Sequence, residues 1–156
     1  MKLITVNDKE SEKLRKAAPD FDLSAHSKKE ITDVVKEMRK EMKRAGGVGL
    51  SANQVGLDWR VFVAESGNKF FAVFNPKITK MSAETEELEE GCLSVPELFI
   101  PLKRALRVTL EGVDWNGKRI KIKASGVLAR IFQHETDHLN GKLILDYVKK
   151  IDPLSK

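Results

Sequence analysis

The sequence predicts an α+β domain in which antiparallel strands pack around a C-terminal helix, with a long helix near the N-terminus. Three observations carry this reading. Apolar residues recur at helical spacing between Ile31 and Ala45, alternating apolar stretches with hairpin signals fill the middle of the chain, and a second helical pattern runs from Gly126 to Leu139. With 156 residues, 41% of them hydrophobic, the chain can bury one substantial core. No repeat, low-complexity tract or linker divides it. A single domain over residues 1–148 and a short polar tail over 149–156 are expected.

Met1 to Val6 reads as a short strand or an ordered arm, and Ser11 to Ala18 as one or two helical turns stopped by Pro19. Pro19 to His26 is a connection. Ser27 with Glu30 three positions on is a capping box. The stripe Ile31, Val34, Val35, Met38, Met42 and Ala45 then packs on the core, and Gly46 is the C-terminal cap. The glycine-rich stretch Gly46 to Gln54 follows a helix and lacks the Lys-Ser/Thr of a phosphate loop, so it brings backbone close to something extended. Strands are expected over Trp59–Glu65 and Phe70–Asn75, joined at Ser66-Gly67-Asn68, with Pro76 interrupting before a short strand from Ile78 to Met81. The acidic run from Glu84 to Glu89 reads as a solvated face. Leu106–Val113 and Lys118–Ala124 form a hairpin about Asn116-Gly117. The last helix takes Ser125 as N-cap and Asn140-Gly141 as its stop, with Val127, Ile131, His134 and His138 on one buried face. From Leu143 onward the chain ends basic, polar and frayed.

Composition narrows the function classes. The net charge of +5 is spread along the chain, with no basic stripe or reading motif for nucleic acid. One cysteine excludes an internal disulfide, and no signal peptide or long apolar run is present, which suits a reducing, cytoplasmic setting away from membranes.

His134-Glu135-Thr136-Asp137-His138 carries the chemistry. On a helix the two histidines sit one turn apart and can share one ion, while Glu135 lies about 60° to the side of His138, within reach of a metal-activated water. Two ligands are too few for a zinc-type site. A lone cysteine is ordinarily a small buried hydrophobe. Here, with two histidines short of a partner, the soft thiolate of Cys92 is the best third ligand.

Three segments together resemble the peptide deformylases: Gly47-Val48-Gly49-Leu50-Ser51-Ala52-Asn53-Gln54, Glu90-Gly91-Cys92-Leu93-Ser94, and Gln133-His134-Glu135-Thr136-Asp137-His138. The resemblance spans roughly residues 2 to 148. It implies one divalent ion, iron(II) first with zinc, nickel or cobalt able to replace it, held by Cys92, His134 and His138. Glu135 would carry protons, and the Gln54 amide and Leu93 N–H would stabilise the developing oxyanion. The substrate implied is the N-formyl-methionyl end of a nascent peptide, with formate as product. Val48, Gly49 and Gly91 would bind the peptide main chain in extended form. Val48, Leu88, Val127 and Ile131 would form the methionine pocket, with Glu90 and Arg130 at its edge. Arg104 resembles an arginine near the family's site, or forms a structural ion pair with Asp137. A monomer acting near the ribosomal exit tunnel is implied as well.

The chain departs from the family pattern at Ser51 and Asn53, where alanine and proline or threonine are frequent, and these changes are expected to alter loop rigidity and not the chemistry. The N-terminal arm lacks the usual proline, and the C-terminus is short. Two other readings stand beside deformylation. A metallopeptidase would need a third ligand downstream, yet the residues after His138 contain no histidine or glutamate. An inactive metal-binding module would show a fourth ligand or a missing Glu135, and neither is seen.

Overall fold

The periodicity that begins at Ser27 is realised as helix α1 (Lys28–Arg44) in the computed structural model, which describes residues 1–148. Ser27 Oγ accepts the Glu30 N–H at 3.1 Å, while the Glu30 carboxylate pairs with His26 Nδ1 at 3.0 Å. The cap is therefore made by serine, and the glutamate is engaged elsewhere. Ile31, Val35, Met38 and Met42 are buried, and the chain leaves the helix through Gly46 at φ 75°, a conformation that glycine adopts without strain.

The main sheet runs β1 (Gly49–Ser51), β2 (Val61–Ser66), β3 (Lys69–Met81), β6 (Arg107–Val113), β7 (Arg119–Ser125), with every neighbouring pair antiparallel. A separate hairpin joins β4 (Thr85–Cys92) to β5 (Val95–Ala105). Four consecutive residues of β2, Val61 to Ala64, are fully buried because both faces of the sheet are covered. Val61 and Val63 pack with α1, and Phe62 and Ala64 pack toward helix α2 (Gly126–Leu139). Thus α2 lies at the centre, touching β1, β2, β3, β5, β6 and β7. The expected α+β architecture is present.

Several expectations need correction. Of the two readings of Met1–Val6, the ordered arm is the one found, held by Ile4 N–H to Gln54 O at 2.7 Å and Val6 N–H to Ser94 O at 2.9 Å. Short 3₁₀ turns occupy Ser11–Arg15 and, within the supposed connection, Leu23–Ala25. β3 does not stop at Pro76. It bends there through a bulge with Asn75 at φ 50°, and the Asn75 side chain exchanges two hydrogen bonds with the Phe21 backbone, so the proline falls where the ladder is already broken. The acidic run is a true strand whose Glu86, Glu87 and Glu89 are exposed. Glutamate's poor strand propensity hid it. Five residues, Asp114 to Lys118, join β6 to β7, and Asp114 closes the turn: its N–H donates to Lys118 O at 2.8 Å and its Oδ1 accepts the N–H groups of Asn116 and Lys118. Leu143 and Ile144 are buried and lead into α3 (Leu145–Val148), so fraying does not begin at Leu143. The tail 149–156 lies outside the described residues. Among the described residues no helix is long and apolar enough to cross a membrane.

Candidate metal centre and active site

Helix α2 and the β4–β5 turn bring the three candidate ligands together. His134 Nε2 and His138 Nε2, one turn apart, are 3.1 Å from each other, and Cys92 Sγ, at the end of β4, is 3.2 Å from His138 Nε2. All three ligand atoms lie within 4.8 Å of one another. One thiolate and two imidazoles converging in this way suit a transition ion such as zinc or iron(II). The groups behind the ligands fit as well, since His134 Nδ1 lies 2.5 Å from Glu90 Oε1, a pairing that fixes the ring with Nε2 toward the ligand cluster. His138 Nδ1 is buried without a protein partner among the described residues.

Glu90 is the hub of a buried charge network. Besides His134, it accepts from Arg104 Nη2 at 2.7 Å, Arg104 Nε at 3.2 Å and Arg130 Nη1 at 2.9 Å. Arg104 continues to Asp137 Oδ2 at 2.7 Å, which also accepts the Tyr147 hydroxyl at 2.6 Å. The ion pair expected of Arg104 is therefore formed. Burial opposes ionisation of Glu90, but the hydrogen bonds from His134 and Arg104 outweigh it and hold the carboxyl well below its ordinary range. Burial likewise opposes charge on His134, yet Cys92 and Glu90 push it up to about 10. To hold an ion, His134 would have to give up that proton. Burial and the neighbouring His134 hold His138 well below its ordinary value.

Glu135 is 4% exposed, and burial raises its carboxyl above the usual range while His134 and Ser51 pull it back. It lines a cavity of about 400 Å³ together with Val48, Gly49, Gln54, Gly91 and Leu93. The Gln54 side chain is fixed at both ends: its Oε1 accepts the Ser51 N–H at 2.9 Å, and Nε2 donates to Ser94 Oγ at 3.0 Å, whose own proton goes to Ile4 O at 2.7 Å. One Nε2 hydrogen is left for the cavity. Leu93 occupies the β4–β5 turn, outside the paired register, so the ladder does not consume its N–H.

The substrate-pocket residues fare unevenly. Val48, Gly49, Glu90, Gly91, Val127, Arg130 and Ile131 all line the cavity. Val127 is 62% exposed at the mouth, against the expectation of a buried face. Leu88 is absent from the lining and is exposed along β4, two positions before Glu90 and opposite Leu102. Arg130 and Glu90 are engaged with each other, and Arg130 also donates to Leu102 O and Glu86 O, so both serve to fasten the hairpin to α2. Sequence reasoning missed Phe99. It is 65% exposed at the cavity and lies over Gly91, its cross-strand partner, so closely that a Cβ at Gly91 would meet the ring at 2.5 Å. Only knowledge of the β4–β5 pairing could have found it.

Comparison with known proteins agrees with this geometry. A family model described as polypeptide deformylase matches residues 1–153. The peptide deformylase of Treponema pallidum (strain Nichols) is 48% identical over 111 residues, covering 71% of this chain and 68% of the relative. That of Thermotoga neapolitana is 46% identical over 115 residues, covering 74% and 70%. The crystal structure of peptide deformylase from Thermotoga maritima superposes with a TM-score of 0.83 at 36% identity, over 93% of this chain and 95% of that one.

Proposed function

The chain belongs to the polypeptide deformylase family, and from that premise we propose how its own residues remove the N-formyl group from newly made polypeptides. The observation that carries the reading is the convergence of Cys92, His134 and His138 beside a cavity that Glu135 also lines. Those three residues hold the ion. Iron(II) is our assignment, supported by the mixed thiolate and imidazole donors, which zinc, nickel or cobalt can also use. When bound, the ion supplies Lewis acidity and brings a water's pKa near neutrality.

Glu135 takes the proton of the attacking water and passes one to the departing amine, a task suited to a buried carboxyl whose pKa lies above the ordinary range. As the formyl oxygen gains charge, the remaining Gln54 N–H and the Leu93 N–H donate to it from fixed positions. Val48 and Gly49 on one side and Gly91 on the other hold the peptide main chain extended, in the manner of an added strand. The methionine side chain enters the apolar part of the cavity beside Val48, Val127 and Ile131. The same reading makes the protein a cytoplasmic monomer working on chains as they leave the ribosome. It is supported by the origin of formylated substrates in translation and by a thiolate ligand that needs reducing conditions.

The test is anaerobic incubation of metal-loaded protein with a formyl-methionyl peptide. One formate per peptide and no cut at internal bonds is expected. No formate with iron(II), nickel, cobalt or zinc overturns the reading, and cleavage of an unformylated peptide instead would favour a metallopeptidase.

A further inference from the structure

We propose that Ser51 is a positioning residue for Glu135: its hydroxyl grips one carboxylate oxygen against β1 and leaves the other for the cavity. The inference rests on the role given to Glu135 above. Gly49 and Ser51, two positions apart on β1, share one face of the strand, and that face meets α2 at Glu135. Ser51 is fully buried, with Oγ 2.7 Å from Glu135 Oε2 and 3.0 Å from the Glu135 carbonyl. A hydroxyl has one proton to donate, and the carboxylate is the stronger acceptor, whereas the carbonyl lies within the helix ladder. Gly49 serves the other oxygen by having no side chain, since a Cβ there would lie 2.9 Å from Glu135 Cδ and collide with Oε1. Two positions after Ser51, Asn53 Nδ2 donates to His138 O at 2.5 Å. The loop is thereby pinned to α2 beside both Glu135 and a metal-ligating histidine, so the carboxylate's orientation is set by β1 and not by the helix alone.

The test compares kcat, KM, metal content and crystal structure for Ser51→Ala, alone and combined with Glu135→Ala. Loss of a hydrogen bond that fixes a reacting carboxylate should lower kcat about tenfold, with KM within about twofold and metal content unchanged. In the crystal structure of Ser51→Ala the Glu135 carboxylate should have turned away from β1. In the Glu135→Ala background, Ser51→Ala should cost nothing more, because residues that act as one unit are non-additive. An additive loss, a loss that tracks metal release, or an unchanged kcat with Ser51→Ala overturns the proposal. If Glu135→Ala alone retains full turnover, the assignment of Glu135 fails first and the role of Ser51 falls with it.

Discussion

Replacing Glu90 with alanine should destabilise the protein and loosen its metal together. The substitution removes the acceptor of four hydrogen bonds, from Arg104 twice, Arg130 and His134. Their consequences differ. Arg130 keeps the carbonyls of Leu102 and Glu86, and Arg104 keeps Asp137, so neither cation is stranded completely. His134 Nδ1 loses the carboxylate that orients it. Removing one partner of a buried pair costs about 3–5 kcal/mol, and the surviving contacts put this case at about 3 kcal/mol. Loss of the group that orients a metal-ligating histidine weakens metal binding about 10- to 100-fold. At saturating metal this adds about 1.4–2.7 kcal/mol, for a total of roughly 4–6 kcal/mol. At about 2–4 °C per kcal/mol for a chain of this size, the melting midpoint should fall by roughly 8–24 °C. Denaturant unfolding of the metal-loaded protein gives the first quantity and competition with a chelator the second. A destabilisation below about 1 kcal/mol with metal affinity within about twofold would refute the reasoning. The exposed pair of Arg107 with Glu84 is the control, and Glu84→Ala should leave the midpoint unmoved.

Three further outcomes are expected. Phe99→Ala should raise KM about tenfold for peptides with an apolar residue after the formyl-methionine while kcat holds, because the ring offers binding surface remote from the reacting bond; steady-state kinetics on a peptide series checks this. Removing the ion with a chelator should lower the melting midpoint, since it binds the folded ligand set alone, and scanning calorimetry with graded metal reads the shift. Glu41 is held below its ordinary carboxylate range, first by the Arg44 hydrogen bond, with burial opposing and the Leu3 N–H assisting. A depressed folded pKa stabilises above the unfolded value, so the advantage of wild type over Glu41→Gln should be complete above about pH 5 and shrink as pH falls through the folded pKa; urea titrations at several pH values follow it.

The legible parts of the sequence were those where chemistry or period leaves few choices. His134, Glu135 and His138 declare themselves because a helix turn dictates their spacing, and Cys92 because two imidazoles need a third donor. Helix α1 was legible for a similar reason, its apolar stripe and serine cap agreeing over seventeen residues. The β4–β5 hairpin was not, since five glutamates between Glu84 and Glu90 disguise a strand whose partner supplies the order. Everything that depends on that pairing was hidden with it. Phe99 is not visible without it, and neither is the second part played by Glu90, which lines the cavity and also anchors His134. Ser51 and Asn53 were expected to affect loop rigidity alone. Both reach α2, at Glu135 and at the carbonyl of His138, contacts that no local pattern reveals.

The division of labour within the H-E-x-x-H helix is tested most directly by measuring bound metal and formate release for Glu135→Ala and Cys92→Ala side by side. Glu135→Ala should keep its ion and lose about 10²- to 10⁴-fold in turnover, whereas Cys92→Ala should lose the ion. Metal retained without Cys92 and released without Glu135 would contradict these roles.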